Sequence, residues 1–248
     1  MHFGGKMIEF EKYVNNKSEI LFMDKIRELS ISLYSGIKRK DGVTDYFNHV
    51  ETVVKTLLDW GVDDIITLST AYLHDVFEET EITADELKKI IEAIVNDVEL
   101  LYKESVVENI VVKVNTLTFI VDKNNEYSNY LKATYLKKVS LADDEILFVK
   151  LADRLSNVLD FFNGGNVFYS KKYFVRGEIL YGEAIERFDF YKCNLKEIEM
   201  LKNNAVHCDD DSMNHFKYTI DKSKRFIRVY EKIIDSITEV KLTINNRK

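Results

Sequence analysis

The segment from His74 to Glu79 concentrates ionisable groups in an otherwise apolar stretch. His74 and Asp75 are followed, after two apolar residues, by Glu78 and Glu79. If the segment is helical, His74 and Glu78 lie one turn apart, as do Asp75 and Glu79. Buried charges are costly unless a metal or a counter-charge balances them, so this segment predicts a metal site.

Two other parts of the chain could complete such a site. Asp153 and Asn157 lie four residues apart in a second apolar segment, and His49 follows the basic run at 38–40. A lone histidine in an apolar helix is more often a packed core residue, so the metal hypothesis depends on the whole set. Imidazole nitrogens and carboxylate oxygens together suit a borderline divalent ion such as manganese, with positions left for water.

Helices are expected to hold these residues in place. Apolar side chains recur at three- and four-residue steps. The segments with this pattern are 18–34, 46–60, 63–77, 106–119, 126–139 and 143–162, followed by two longer ones at about 169–203 and 214–240. Gly61 is a typical helix stop, Asp63 a potential N-cap, and Thr83 with Glu86 has the form of a capping box. We therefore expect an all-α fold, with one helical bundle over 18–165 and a C-terminal helical extension over 166–248 packed on the same domain.

The composition argues against several classes of protein. Proline is absent, where average usage would give about a dozen, and this favours helices over a sandwich or barrel. A net charge of −7 argues against wholesale binding to nucleic acid or to an anionic membrane. Cys193 and Cys208 are too few for a disulfide framework, and no apolar stretch is long enough to cross a bilayer. We expect a cytoplasmic protein with no nucleic-acid or membrane partner.

Three motifs, in this order along the chain, resemble the HD-domain phosphohydrolases of the RelA/SpoT alarmone hydrolase type, including their small stand-alone members. The motifs are Arg39-Lys40-Asp41-Gly42 with Tyr46 and His49, then HDVFEET at 74–80, then KLADRLSN at 150–157. A His-Asp pair alone is weak evidence, but HDxxExT together with LADRLxN is specific. The resemblance covers about residues 20–165 and implies an HD-domain helical bundle there.

The resemblance also implies a role for each matching position. The metal ligands would be His49, His74, Asp75 and Asp153, and the usual metal is manganese. Glu78 and Glu79 would orient or deprotonate the attacking water, with Glu79 standing where the family has aspartate. The residues implied in substrate binding are Arg39, Lys40, Tyr130, Lys150, Arg154 and Asn157, of which Asn157 would lie near the ribose and Tyr130 would line the pocket.

The activity implied by the resemblance is hydrolysis of the 3′-pyrophosphate of guanosine tetra- or pentaphosphate, (p)ppGpp, to GDP or GTP and pyrophosphate. We expect a hydrolase with no synthetase activity. Two alternatives stay open. One is another HD-domain nucleotide phosphohydrolase, such as a nucleotidase or an NADPH 2′-phosphatase, and the other is a catalytically inactive nucleotide-binding regulatory module. The C-terminal helices could also mediate oligomer formation.

Overall fold

The computed structural model describes residues 8–14, 16–120, 127–204 and 210–246. Within these ranges the chain is helical and contains no β-strand, so the all-α prediction is confirmed. The helices are α1 (Lys17–Leu33), α2 (Tyr46–Trp60), α3 (Ile65–Leu73), α4 (Val76–Glu79), α5 (Ala84–Asp97), α6 (Lys103–Leu117), α7 (Ser128–Ser140), α8 (Asp144–Asn163), α9 (Val167–Val175), α10 (Glu178–Asn204) and α11 (Asp210–Asn246). Of the two cysteines, Cys193 is exposed and free, whereas Cys208 lies outside the described residues.

Most of the predicted helix ends are where the sequence signals place them. Gly61 follows α2 with a φ of 88°, and its backbone N–H donates to the carbonyls at the end of that helix. Thr83 and Glu86 form the predicted capping box of α5. The N-cap of α3 is different from the prediction, because Asp64, not Asp63, accepts a hydrogen bond from the backbone N–H of Thr67 at 2.8 Å.

Two predicted helices are interrupted. The apolar segment 63–77 breaks after Leu73, and the segment 169–203 is divided between α9 and α10. Gly177 lies at the second break, where a Cβ atom would come within 2.7 Å of the Tyr181 ring. Glycine therefore allows the aromatic ring to pack against the backbone at this point. Periodicity alone does not reveal either break.

Chain contacts divide the molecule into two compact units, Met1–Ser156 and Asn157–Lys248. In the first unit α3 is central, since it contacts α1, α2 and α6. Every residue of α3 from Thr67 to Leu73 is buried. Burial continues past the end of α3 through His74, Asp75 and Val76. The boundary at residue 165, drawn from the sequence, stays a prediction.

In the second unit α10 and α11 form an antiparallel pair. Tyr191 stacks on Tyr230, and Glu199 forms an ion pair with Lys224 at 3.1 Å. The buried side chains of α11 recur at three- and four-residue steps, as in a coiled-coil seam. They include Ser223, Phe226, Tyr230, Ile233, Ile237, Val240 and Ile244. Across the described parts of both units, none of the helices combines the length and hydropathy that crossing a bilayer requires.

Candidate metal centre

Four buried side chains from three separate parts of the first unit converge on one point. His49 comes from α2, His74 caps the C-terminus of α3, Asp75 lies between α3 and α4, and Asp153 comes from α8. One potential ligand atom from each lies within 4.8 Å of all the others. His49 Nε2 is 3.2 Å from Asp153 Oδ1, and His74 Nε2 is 3.1 Å from Asp75 Oδ2. The structure thus brings together all four residues that the sequence analysis named as metal ligands.

The break between α3 and α4 is what orients the His-Asp pair. A continuous helix would point His74 and Asp75 about 100° apart, but here Asp75 leaves helical geometry with φ −104° and ψ 6°. His74 Nδ1 donates a hydrogen bond to the carbonyl oxygen of Ala71 at 2.7 Å. Because a carbonyl can only accept, the neutral ring then has its lone pair on Nε2, which faces the cluster.

The donor set fits a divalent cation. Among the described residues, neither His49 Nε2 nor His74 Nε2 has a hydrogen-bond partner of acceptable geometry, although both atoms are buried. His49 Nδ1 shares a hydrogen bond of 3.2 Å with Ser156 Oγ, so its other nitrogen is also directed at the cluster. Buried polar atoms without partners are rare in native proteins and usually mark a site for water or an ion. Two imidazole nitrogens and two carboxylates are suitable ligands for manganese and related metals.

His74, Asp75 and Asp153 of the cluster shift the pKa values of one another. Burial alone would lower the pKa of His74, but the neighbouring carboxylates of Asp75 and Asp153 raise it to about 10. Burial alone would raise the pKa of Asp75, but the His74 charge holds it well below its usual range. Burial alone would also raise the pKa of Asp153, but the positive charge of Lys150 helps to hold it well below its usual range. The metal-free cluster therefore holds a proton where a cation can bind.

Aromatic and basic residues cover one side of the cluster. The hydroxyl of Tyr46 donates a hydrogen bond to Asp75 Oδ2 at 2.6 Å, and the guanidinium of Arg39 lies 5.2 Å from the centre of the Tyr46 ring. The loop between them is ordered by Asp41, whose carboxylate accepts hydrogen bonds from the backbone N–H groups of Val43 and Thr44. The structure therefore places Arg39 against a tyrosine that contacts one of the candidate ligands.

A second group of cations approaches from α7 and α8. Lys150 Nζ is 2.9 Å from Asp153 Oδ2 and 5.5 Å from the centre of the Tyr135 ring. Lys132 lies 5.9 Å from the ring centre of Phe119. Burial lowers the pKa of Lys132, and the nearby positive charges of other basic residues lower it further. These other residues are Arg154, Lys150 and Lys40.

Glu78 joins the site from α4, which is a single turn. Although much of its side chain is exposed, Glu78 Oε1 accepts a hydrogen bond from the backbone N–H of Phe119 at 2.7 Å. Burial of the carboxyl group itself and the negative charge of Asp75 raise the pKa of Glu78 to about 7. The positive charge of Lys150 acts in the opposite direction. A carboxyl group with this pKa can both accept and release a proton near neutral pH.

Comparison with known proteins identifies the family. The HD domain family matches residues 27–164 of the chain, which include all four residues of the cluster. The chain belongs to the HD domain family. Over 155 residues the HD-domain chain is 26% identical to a guanosine-3′,5′-bis(diphosphate) 3′-pyrophosphohydrolase of Spiroplasma citri. This alignment covers 61% of the chain and spans 18% of the length of that relative.

The other residues predicted for the site of this HD domain differ in solvent exposure. Tyr130 on α7 is 71% exposed, and Lys40 and Glu79 are also exposed. Arg154 on α8 is only 1% exposed, so it is a buried neighbour of Lys132 in this conformation. Asn157 follows Asp153 by one turn of α8.

Lys132 was not singled out by the sequence analysis. The sequence gives little indication of a role for Lys132, because α7 carries other lysines and has little apolar periodicity. Only the fold shows that Lys132 lies near Phe119 and the basic residues of α8.

Proposed function

We propose that the chain is a metal-dependent HD-domain phosphohydrolase that removes the 3′-pyrophosphate of (p)ppGpp, giving GDP or GTP and pyrophosphate. The family match and the cluster of two histidines and two aspartates support the metal-dependent phosphohydrolase. The activity of the Spiroplasma citri relative supports the choice of substrate.

The observation that carries the proposal is the gathering of cations around a cluster of buried carboxylates. The whole chain has a net charge of −7, yet Arg154 and Lys150 lie close enough to Lys132 to lower its pKa. Arg39 lies against the ring of Tyr46, whose hydroxyl donates to Asp75. Several basic side chains near one point suit a polyphosphate, which carries several negative charges in a small volume.

His49, His74, Asp75 and Asp153 would hold the metal, which we propose is manganese or another divalent ion. When bound, the metal would supply positive charge that stabilises the negative charge developing on the phosphoryl oxygens. Lys150 and Lys132 would bind the pyrophosphate, and Asn157 is proposed to lie at the ribose.

Glu78 is the proposed proton acceptor. A water oxygen forms a bond to the phosphorus attached to the ribose 3′-oxygen, and the bond between that phosphorus and the 3′-oxygen breaks. The Glu78 carboxylate accepts the proton that the water loses, and its pKa of about 7 suits transfer of a proton to the departing 3′-oxygen. Glu79 is proposed to assist by orienting the water.

The test is product release by the purified chain with Mn²⁺ across ppGpp, pppGpp, pppApp, NADPH and ordinary nucleotides. Asp75→Ala removes a proposed ligand. Asp97→Ala is the matched control, because Asp97 is an exposed aspartate whose partner is Lys25. Cleavage of a 3′-pyrophosphorylated nucleotide that is lost only in Asp75→Ala is the expected result.

Other outcomes would redirect the proposal. Turnover of NADPH or of a nucleoside monophosphate alone would indicate a different HD-domain nucleotide phosphohydrolase. Metal binding without turnover of any compound would indicate an inactive nucleotide-binding module. The absence of a nucleic-acid partner, oligomer formation through the C-terminal helices and a cytoplasmic location stay predictions.

A further inference from the structure

We propose that Tyr46 is a positioning residue that links the metal-ligand cluster to the basic loop carrying Arg39. Its hydroxyl fixes the Asp75 carboxylate, and its ring supports the Arg39 guanidinium. This inference rests on the proposed function, since it requires that the cluster binds a metal.

The contact with the cluster has two parts. Tyr46 donates a hydrogen bond to Asp75 Oδ2 at 2.6 Å, which is the same oxygen that lies 3.1 Å from His74 Nε2. Tyr46 is also the first residue of α2, so its side chain lies on the same helix face as His49 three residues later. The edge-to-face arrangement of the two rings, with centres 5.9 Å apart, agrees with this. One buried phenol therefore constrains two of the four proposed ligands.

The contact with the loop uses the ring of Tyr46. The Arg39 guanidinium lies 5.2 Å from the ring centre, within the range of a cation–π interaction. The Tyr34 ring stacks on Tyr46 with a centre distance of 5.3 Å. The backbone N–H of Tyr46 donates to the carbonyl of Ile37 at 3.0 Å, which ties the start of α2 to the base of the loop. Displacement of Tyr46 would therefore move Arg39 as well.

Hydrogen-bond partners of metal ligands commonly change metal affinity by about 10–100-fold when they are removed. Tyr46→Phe removes only the hydroxyl and retains the ring beneath Arg39. Tyr46→Leu removes both the hydroxyl and the ring. Tyr72→Phe is the matched control, because the Tyr72 hydroxyl is also buried and donates to a carboxylate, but that carboxylate belongs to Glu51, outside the cluster.

The first experiment measures Mn²⁺ affinity of the full chain by calorimetry, with Mn²⁺ as the only ligand. We expect Tyr46→Phe to weaken Mn²⁺ binding about 10–100-fold, and Tyr72→Phe to leave it within about twofold of the wild type while lowering the melting temperature, because a buried hydrogen bond is lost. Equal Mn²⁺ affinity in the wild type and Tyr46→Phe would overturn the inference, and so would an equal loss in Tyr72→Phe. A wild type that binds no Mn²⁺ would refute the metal site itself, and with it both proposals.

The second experiment measures amide hydrogen exchange of the loop 37–45 with and without Mn²⁺. We expect Mn²⁺ to slow exchange in the wild-type loop and to have no such effect in Tyr46→Leu. A loop whose exchange in the wild type is unchanged by Mn²⁺ would overturn the proposed link to Arg39. Neither experiment uses a nucleotide, so failure to cleave (p)ppGpp does not affect the result.

Discussion

Metal binding should displace a proton from His74. A metal ligand must be a neutral imidazole with a free lone pair, and in the metal-free protein the two neighbouring carboxylates raise the pKa of His74 to about 10. At pH 7.5 the ring is then almost fully protonated. We therefore expect release of about one proton from His74 per metal ion, whereas a histidine with its ordinary pKa of about 6.5 would release only about 0.1 proton.

Calorimetric titration with Mn²⁺ at pH 7.5 in Tris and in HEPES measures this number directly. The observed enthalpy depends linearly on the ionisation enthalpy of the buffer, and the slope is the number of protons released. Glu78 has a pKa of about 7 and could add to the slope, so the titration is repeated with Glu78→Gln. A slope near 0.1 in that variant would refute the argument that the carboxylates hold a proton on His74.

The same shift makes a prediction about stability in the absence of metal. The raised pKa of His74 stabilises the folded state, and this contribution is complete at pH values below the unfolded pKa of histidine, about 6.5. The contribution is lost as the pH rises through about 10. The free energy of unfolding in urea should therefore fall between pH 7 and pH 10. The fall should be smaller in His74→Gln, and an identical pH profile for the two proteins would contradict the assignment.

Three further predictions concern other parts of the chain. Glu78→Gln should abolish turnover, yet raise the melting temperature of the metal-free protein at pH 8 and not at pH 4, because a raised carboxyl pKa destabilises the fold as the pH rises through about 7. Lys132→Gln should raise the KM for the phosphorylated substrate about tenfold or more, since a charged hydrogen bond is lost, without a change in Mn²⁺ affinity. Gly61→Ala should lower the free energy of unfolding by about 1 kcal/mol because of its φ of 88°, whereas Gly182→Ala, inside α10 with open space at the Cβ position, should raise it by about 0.5–1 kcal/mol.

The sequence predicted the helices where local signals agree with packing. In α2 the apolar spacing and Gly61 indicate both ends, and the observed bounds are Tyr46–Trp60, as predicted. The break at His74 could not be predicted in this way, because the apolar pattern continues past it through Val76 and Phe77. At that break the hydroxyl of Tyr46, from α2, donates a hydrogen bond to Asp75, and no local pattern reveals such a tertiary contact.

In the candidate site, too, the sequence predicted the residues that belong to local motifs but not the contacts between distant parts of the chain. The His-Asp motif and the motif around Asp153 identified the four clustered residues, since their residue types and order are distinctive in one chain. Lys132 and the hydrogen bond from Phe119 to Glu78 join residues from α7, the end of α6 and α4, and no local pattern relates these positions. Burial of Arg154 likewise depends on the packing of α8.

Two buried polar networks near the start of α2 and the end of α3 differ in how far the protein satisfies their hydrogen bonds. Glu51 is two residues after His49, and it accepts hydrogen bonds from Arg27 and from the hydroxyl of Tyr72, so its carboxylate is satisfied by the protein. His49 and His74, in contrast, present Nε2 atoms that have no partner of acceptable geometry within the described residues. A carboxylate whose hydrogen bonds come from the protein needs no ligand, whereas two buried Nε2 atoms without such a partner are available to a cation. The first network thus joins α1, α2 and α3, and the Nε2 atoms of the second can bind a cation.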